Sequence, residues 1–409
     1  MRSVEQQLEA VLASVDPLES FPIALLEARG CVLAEDVTAP WSLPAFDSAS
    51  VDGYAVRVFD VAGASSEISL SLRVQDTIGA GEKPGKSLIP GCAIRVSAGA
   101  PLPEETEAVV PVEYTDGGTE YVAISRSVAF GQYVRRSGED VLAGSVVAAA
   151  GTEVDARILG LLAAVGRGQI EARPRPRVVV VSIGSELLPP GTPLEPGKVA
   201  DSNGIMLAAA VGECGGKAFR VGPIPDDEAV IEQVLTDQLV RADAVIITGG
   251  TSASSYEAVR SVLNKIGNVE YSKIAMYPGA AQGFGRIGEE HVPIIMLPGS
   301  PAAAFVSFEV FVRPVMRKLL GLSNVGTPLQ RAYVSNGFRS ISGRRHYVRA
   351  IREHDAAGRH IVTALEGQGT HLIASLAKTQ CLIVVPESVT DVSPGDVVDV
   401  LLLNDAAVW

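Results

Sequence analysis

The stretch that decides the fold is Arg173-Pro174-Arg175-Pro176-Arg177-Val178-Val179-Val180-Val181-Ser182-Ile183-Gly184-Ser185-Glu186-Leu187. Its prolines fix their own φ angles and push the preceding residues away from helix, so residues 173–176 predict a stiff domain boundary. The valine run after them predicts a buried strand that ends in a loop of small residues. Strand and helix then alternate through Val178–Val181, Ile205–Val211, Asp243–Thr248, Tyr256–Ile266, Pro293–Leu297 and Ala302–Leu320. This alternation predicts a doubly wound α/β domain with a parallel sheet over residues 174–325.

The sequence on either side of this domain has a different pattern of predicted helices and strands. Helical spacing of apolar residues in the first turns, and again over Leu18–Ala28 and Val141–Gly168, predicts a helical scaffold made of residues 1–41 and 141–173. Short alternating strands such as Ile68–Val74 and Ala93–Val96 predict a β-rich subdomain inserted at residues 42–140. Short strands return after Gly321 and predict a C-terminal β domain over residues 326–409. The predicted fold class is therefore multidomain α/β and β.

The overall composition limits the class of partner. With 409 residues, 47% of them hydrophobic and 20% charged, the chain is expected to form several packed domains rather than a disordered polymer. A formal net charge of −13 argues against a nucleic-acid or membrane-surface partner, because no general positive field is present. The dispersed cysteines Cys31, Cys92, Cys214 and Cys381 do not form a zinc or disulfide pattern. A polar, acidic N-terminal segment without a long apolar run predicts a cytoplasmic protein.

Three loops of small residues follow predicted strands, at 182–187, 248–255 and 297–301. In an open α/β sheet, ligands bind beyond the carboxyl ends of the strands, where loops lead into helices with free amides. Glycine lets the backbone approach an anion closely, and serine adds hydroxyl donors. The three loops together therefore predict a pocket for a phosphate or a pterin phosphate. For any single loop, the simpler interpretation is a tight turn without a ligand.

An ordered series of motifs resembles the molybdopterin molybdenumtransferase family, to which the E domain of gephyrin belongs. The signature-like segment is Pro44-Ala45-Phe46-Asp47-Ser48-Ala49-Ser50-Val51-Asp52-Gly53-Tyr54-Ala55-Val56-Arg57. Further similar segments are Arg95–Pro103, Arg135–Asp140, Gly184–Leu187, Asp201–Asn203, Gly249–Glu257 and Leu297–Pro301. The resemblance covers nearly the whole chain. It implies an elongated protein in four parts, in which the α/β domain binds molybdopterin.

The resemblance also implies an activity. Members of this family insert molybdate into molybdopterin by consuming adenylylated molybdopterin, with release of AMP. They usually require a divalent cation such as Mg²⁺ and generally work as homodimers whose sites are built by both chains. A polyanionic substrate suits amide-rich loops, and carboxylates suit Mg²⁺.

Site residues follow from the positions that match the family motifs. The expected catalytic residues are Asp52, Asp140, Glu186 and Asp226, and the expected metal ligands are Glu186 and Glu257. The expected substrate-binding residues are Gly184, Ser185, Gly249, Gly250, Ser252, Glu257, Lys273, Pro298, Gly299 and Ser300. Three of these acids also have a purely structural interpretation: Asp52 as a cap for the turn at Gly53, Asp140 as a solvated loop carboxylate, and Glu186 as a helix cap.

Several motif positions depart from the family pattern. The family's Thr-Gly-Asp-Glu reads Ile183-Gly184-Ser185-Glu186, its Lys-Pro-Gly-Lys-Pro reads Tyr277-Pro278-Gly279-Ala280-Ala281, and Ser300 stands for asparagine. These changes remove acids and lysines, and the arginines that could replace them are Arg135, Arg136, Arg344 and Arg345. The alternative function is therefore a catalytically impaired paralogue that binds molybdopterin or assists assembly. A pocket that holds another small anion is a further alternative.

Overall fold

The computed structural model describes residues 1–249 and 253–403, and for residues 253–256 the backbone alone. The expected multidomain α/β and β fold is confirmed. Residues near the start of the chain and residues 146–173 form a small mixed unit rather than a purely helical one. A helix at Val4–Ala13 precedes this unit, whose elements are strands at Phe21–Ala24, Val32–Leu33, Val37–Thr38, Val146–Ala148 and Gln169–Arg173, a 3-10 turn at Leu25–Glu27, and a helix at Ala156–Ala164.

The helix expected over Leu18–Ala28 is wrong. Phe21–Ala24 is a strand that pairs antiparallel with Gln169–Arg173, so that Ile23 lies opposite Ile170. Both isoleucines are buried in one hydrophobic cluster of this unit. Pairing with a segment far along the chain therefore overrides the local apolar spacing.

The inserted region carries its own sheet. Its elements are Ser48–Ala49, Gly53–Val56, a helical turn at Val58–Val61, Leu70–Ile78, Cys92–Val96, Ala108–Pro111, a 3-10 turn at Val112–Tyr114, Tyr121–Ile124 and Val134–Arg135. Gly53–Val56 lies second from one edge of this five-stranded sheet, between Ala108–Pro111 and Cys92–Val96. Gly53 must be glycine, because an added Cβ would lie 2.0 Å from the carbonyl oxygen of Val110 on the neighbouring strand.

The α/β domain is built on strands β1 (Arg177–Ile183), β2 (Lys217–Ile224), β3 (Ala244–Gly249), β4 (Gly267–Lys273), β5 (Ala281–Ile287) and β6 (Val292–Leu297). Its helices are α1 (Asn203–Glu213), α2 (Glu228–Leu239), α3 (Ala253–Ile266), α4 (Pro301–Ser307) and α5 (Arg313–Leu319), with a π-helical turn at Phe308–Val312 between the last two. A short parallel pair, Leu187–Leu188 with Val199–Ala200, follows β1. The strands lie in the order β2-β1-β3-β6-β5-β4.

The expected parallel sheet is correct for β2, β1, β3 and β6 and wrong for β5, which runs antiparallel to both of its neighbours. As a result β4 points in the same direction as β6, and its end lies at the same edge of the sheet. The valine run of β1 is fully buried, with Val178 and Val180 in the cluster on one face and Val179 and Val181 in the cluster on the other. Burial on both faces explains why this strand reads as a continuous apolar run.

The C-terminal domain is a closed barrel. Its strands are Leu329–Val334, Phe338–Arg339, Arg345–His354, His360–Ala364, Cys381–Val385, Asp391–Val392 and Val397–Leu402, with a helical turn at Ile373–Leu376. Closure occurs because Arg345–His354 pairs with both His360–Ala364 and Cys381–Val385. A short strand that follows β4, Met276–Tyr277, pairs in parallel with the start of Arg345–His354 and joins the barrel to the α/β domain.

The N-terminal helix packs against the α/β domain. Val11 and Val15, in and just after the N-terminal helix, pack in the same cluster as Val178 and Met316, so the start of the chain is held against the α/β domain. Within the described residues, no helix combines the length and the apolar character needed to cross a membrane.

Candidate active site

The three small-residue loops meet at the carboxyl edge of the sheet. Ile183 at the end of β1 is the lateral partner of Gly249, and Thr248 is the partner of Leu297. Beyond this edge lies a cavity of about 400 Å³, a size that suits a small organic ligand. Its walls are formed by Ile183, Glu186, Leu187, Val199, Ala200, Asp201, Ser202, Asn203, Thr248, Gly249, Gly299, Pro301, His371 and Ile373. The convergence expected from the sequence is therefore present.

A buried asparagine ties two of these loops together. Asn203 Nδ2 donates to Thr248 Oγ1 at 2.9 Å and to the carbonyl oxygen of Gly299 at 2.8 Å. Thr248 Oγ1 in turn donates to the carbonyl oxygen of Pro298 at 3.2 Å. Asn203 is the first residue of α1, and the segment Val199–Ser202 carries it from the short strand to the sheet edge.

The loop after β1 is fixed by a reciprocal pair of hydrogen bonds. The Ser185 amide donates to Asp226 Oδ2 at 2.9 Å, and the Asp226 amide donates to Ser185 Oγ at 3.1 Å. Lys198 Nζ donates to the carbonyl oxygen of Ser185 at 2.7 Å. The Glu186 carboxylate folds back over Gly184, where an added Cβ would lie 2.6 Å from Glu186 Oε2. Gly184, Ser185, Glu186 and Asp226 thus form one compact group.

A buried ion pair supports the start of α1. Asp201 is 1% exposed, its Oδ1 accepts from the Gly204 amide at 2.9 Å, and its Oδ2 lies 3.3 Å from a guanidinium nitrogen of Arg220. Asp201 and Asn203 belong to one of the family-like motifs but were not among the expected site residues. The signal that could have found them is a polar triplet placed directly before a helix in the α/β domain.

The remaining expected substrate-binding residues have different positions. Lys273 is exposed at the end of β4, at the same edge as the cavity but separated from β6 by β5. Ser300 stands at the cap position of α4 and makes no side-chain capping bond. Glu257 is exposed on α3. Gly250 and Ser252 lie outside the described residues.

The expected catalytic residues Asp52 and Asp140 do not line this cavity. Both are exposed and belong to the inserted region. Asp52 Oδ1 accepts from the amide of Ala98 at 2.7 Å, and the Asp140 amide donates to the carbonyl oxygen of Leu43 at 3.0 Å. Within one chain, Asp52 and Asp140 therefore lie apart from the group that contains Glu186 and Asp226.

The barrel domain completes the cavity with His371 and Ile373, which sequence reasoning missed. The loop that carries His371 is held by the buried guanidinium of Arg349, which donates to the carbonyl oxygens of Gly367, Gly369 and Leu372. The Ala302 amide of α4 also donates to the carbonyl oxygen of Thr370 at 3.0 Å. No local sequence pattern could have assigned these residues, because their role depends on how two domains pack.

Two of the arginines considered as replacement cations are engaged elsewhere. Arg136 forms an ion pair with Asp47 at 2.5 Å, and the Arg345 guanidinium contacts Glu5 and Glu387. Arg135 is exposed on Val134–Arg135, and Arg344 makes no contact with the cavity. Within one chain, these arginines therefore bring no positive charge to the cavity.

The donor set is compatible with a weakly held Mg²⁺. Among the described residues, no group of three or more His, Cys, Asp or Glu side chains is arranged to hold a metal ion. Asp226 Oδ1 is nevertheless buried without a hydrogen-bond partner, close to the Glu186 loop. Mg²⁺ is commonly bound by one or two carboxylates together with substrate phosphates, and Glu186 with Asp226 fits that pattern.

Comparisons with known proteins extend over the whole chain. Family models match as the MoeA N-terminal region (domain I and II) at residues 2–166, a probable molybdopterin binding domain at 179–318, and the MoeA C-terminal region (domain IV) at 331–403. Molybdopterin molybdenumtransferase 2 of Mycobacterium tuberculosis is 41% identical over 401 residues, which cover 97% of this chain and 98% of that protein. The chain belongs to the molybdopterin molybdenumtransferase family. The resemblance inferred from the motifs is thus confirmed.

Two further members of the molybdopterin molybdenumtransferase family match this chain over nearly its whole length. Molybdopterin molybdenumtransferase 1 of Mycobacterium tuberculosis is 39% identical over 423 residues, covering 98% of this chain and 99% of that one. The crystal structure of a molybdopterin biosynthesis MoeA protein from Pyrococcus horikoshii superposes with a TM-score of 0.80 at 28% identity, and covers 100% of this chain and 99% of that chain. The domain arrangement of this family member is therefore that of a solved relative.

Proposed function

We propose that this protein transfers molybdenum to molybdopterin in molybdenum cofactor biosynthesis, using adenylylated molybdopterin and molybdate and releasing AMP. The observation that carries the proposal is the cavity at the carboxyl edge of the sheet, which is lined by described residues of all three loops of the family motifs. Membership of a family whose relatives are named molybdopterin molybdenumtransferase supports the same reaction.

The residues of the cavity suit a phosphorylated ligand. Gly249 and Gly299 present backbone without side chains, so a phosphate can approach the loop backbone closely. The Ser185–Asp226 pair fixes the loop after β1, so that its amides do not have to reorganise on binding. In this proposal the loops hold the phosphates and the apolar wall receives the pterin.

Mg²⁺ is the proposed cofactor. Glu186 and the unpartnered Asp226 Oδ1 would hold it, with the substrate phosphates as further ligands. When bound, the ion supplies charge that stabilises a leaving phosphate. Glu257, exposed on α3, is a further candidate ligand that does not line the cavity.

A cytoplasmic homodimer is the proposed working state. Asp52 and Asp140 lie on exposed parts of the inserted region and do not reach the cavity of their own chain. A second copy that presents this region to the cavity would bring Asp52 and Asp140 to Glu186 and Asp226. The separation of the four acids within one chain supports this arrangement.

The test is AMP release from adenylylated molybdopterin in the presence of Mg²⁺ and molybdate. Glu186→Gln is expected to slow release by about 10²-fold, because it removes one of the carboxylates of the group. Asp237→Asn is the matched control, since Asp237 is an exposed acid on α2 and does not line the cavity. AMP release at equal rates in both variants would contradict the role of Glu186. Tight binding by the wild type without AMP release would favour the binding-protein alternative.

A further inference from the structure

The side-chain amide of Asn203 has its nitrogen hydrogen-bonded twice and its oxygen without a hydrogen-bond partner among the described residues. The residue is 8% exposed, and Nδ2 donates to Thr248 Oγ1 and to the carbonyl oxygen of Gly299. Asn203 Oδ1 is buried and has no hydrogen-bond partner within the described part of the chain. Asn203 also lines the cavity.

The hydrogen-bond network fixes which way this amide faces. The carbonyl oxygen of Gly299 can only accept, and the Thr248 hydroxyl uses its proton to donate to the carbonyl oxygen of Pro298. Turning the amide over would therefore place Asn203 Oδ1 against two acceptors. The network assigns Nδ2 to the loops and leaves the oxygen available to another donor.

A buried acceptor without a donor is costly, so such a group in a binding cavity calls for a donor from the ligand. We propose that Asn203 Oδ1 accepts a hydrogen bond from a ring N–H of the bound pterin, while Nδ2 keeps the β3 and β6 loops in register. This inference rests on the proposed function and deepens it by assigning ring recognition to a residue outside the acidic group.

The chemistry of the two halves of the substrate favours the pterin as the donor. The amino-lactam edge of a pterin carries a ring N–H beside an exocyclic amine, whereas adenine in AMP carries the exocyclic amine and no free ring N–H. The apolar Ile183, Leu187 and Ile373 also line the cavity, and they offer a flat ring an apolar wall. Phosphates, by contrast, require the amides of the glycine loops.

The experiment pairs a change in the protein with a change in one atom of the ligand. Binding of 6-hydroxymethylpterin monophosphate and of its N3-methyl analogue is measured by calorimetry for the wild type, Asn203→Ala and Thr248→Val. Methylation is expected to weaken binding to the wild type by about tenfold or more, because Asn203 Oδ1 loses its donor. In Asn203→Ala the penalty is expected to disappear, because the acceptor is absent and space opens for the methyl group.

Thr248→Val separates recognition from loop positioning. It removes the hydroxyl that joins Asn203 to Pro298 but leaves Asn203 Oδ1 in place, so it is expected to weaken both pterins equally and keep the methylation penalty. An equal penalty in the wild type and in Asn203→Ala would overturn the inference. AMP binding is measured by the same calorimetry. A loss of AMP binding with unchanged pterin binding in Asn203→Ala would overturn the inference too, because the exocyclic amine of adenine would then be the donor.

The wild-type measurement alone keeps the inference testable if Asn203→Ala does not fold, because a wild type indifferent to methylation would contradict it. Failure of the proposed function has a different signature. In that case the wild type binds neither pterin and releases no AMP, whereas failure of the ring assignment leaves pterin binding and AMP release intact.

Discussion

Replacing Gly249 with alanine tests whether the cavity at the carboxyl edge of the sheet depends on the close approach of β1 and β3. Gly249 has a φ of +93°, and an added Cβ would lie 2.0 Å from the carbonyl oxygen of Ile183 on β1. Gly191 is a matched control, since its φ is +91° and nothing lies within 4 Å of an added Cβ. Both variants pay the left-handed backbone penalty of roughly 1–2 kcal/mol, but Gly249→Ala must also push β1 and β3 apart. We expect it to cost about 3 kcal/mol or more in total.

Calorimetric melting of the two variants gives the comparison. One kcal/mol shifts the melting temperature of a domain of about 150–250 residues by roughly 2–4 °C, so Gly191→Ala should lower it by a few degrees and Gly249→Ala by about 6–12 °C. Gly249→Ala should also abolish pterin binding, because Ile183 and Gly249 both line the cavity. Equal shifts in the two variants would refute the close-approach argument.

Two further predictions concern buried charged and titratable groups. Asp201→Asn breaks the ion pair with Arg220 and should lower the unfolding free energy by about 2 kcal/mol. This is less than the penalty for a wholly buried pair, because the Arg220 side chain is 29% exposed. Chemical denaturation measures the change, and a loss below about 0.5 kcal/mol, the size expected at an unconstrained surface position, contradicts the prediction. Burial lowers the pKa of His346 to about 4, compared with about 6.5 in the unfolded chain. Between these two values the unfolded chain binds a proton that the folded chain does not. The free energy of unfolding therefore falls as the pH drops from 6.5 toward 4. His346→Phe should flatten this part of the pH profile, and an unchanged slope would show that another group causes it.

Some site residues could be found from the sequence because their signals are local. Glycine and serine loops directly after apolar strands indicated the carboxyl edge of the sheet, and the structure brings Gly184, Gly249 and Gly299 to that edge. The antiparallel β5 was not predicted, because Ala281–Ile287 is rich in glycine and gives a weak strand pattern. The direction of a strand also depends on which neighbour it meets, and sequence periodicity does not record this.

By itself the sequence determined the features that depend on neighbouring residues: the buried valine strand, the loops that end the strands, and the order of the family motifs. Tertiary structure alone decided that Phe21–Ala24 is a strand, that His371 of the barrel reaches the cavity, and that Asn203 Oδ1 is left without a donor. The physical reason is the separation along the chain over which each effect acts. Periodicity and turn chemistry depend on residues that are close together in the sequence. Strand pairing, domain packing and hydrogen-bond completion act between segments that are distant along the chain.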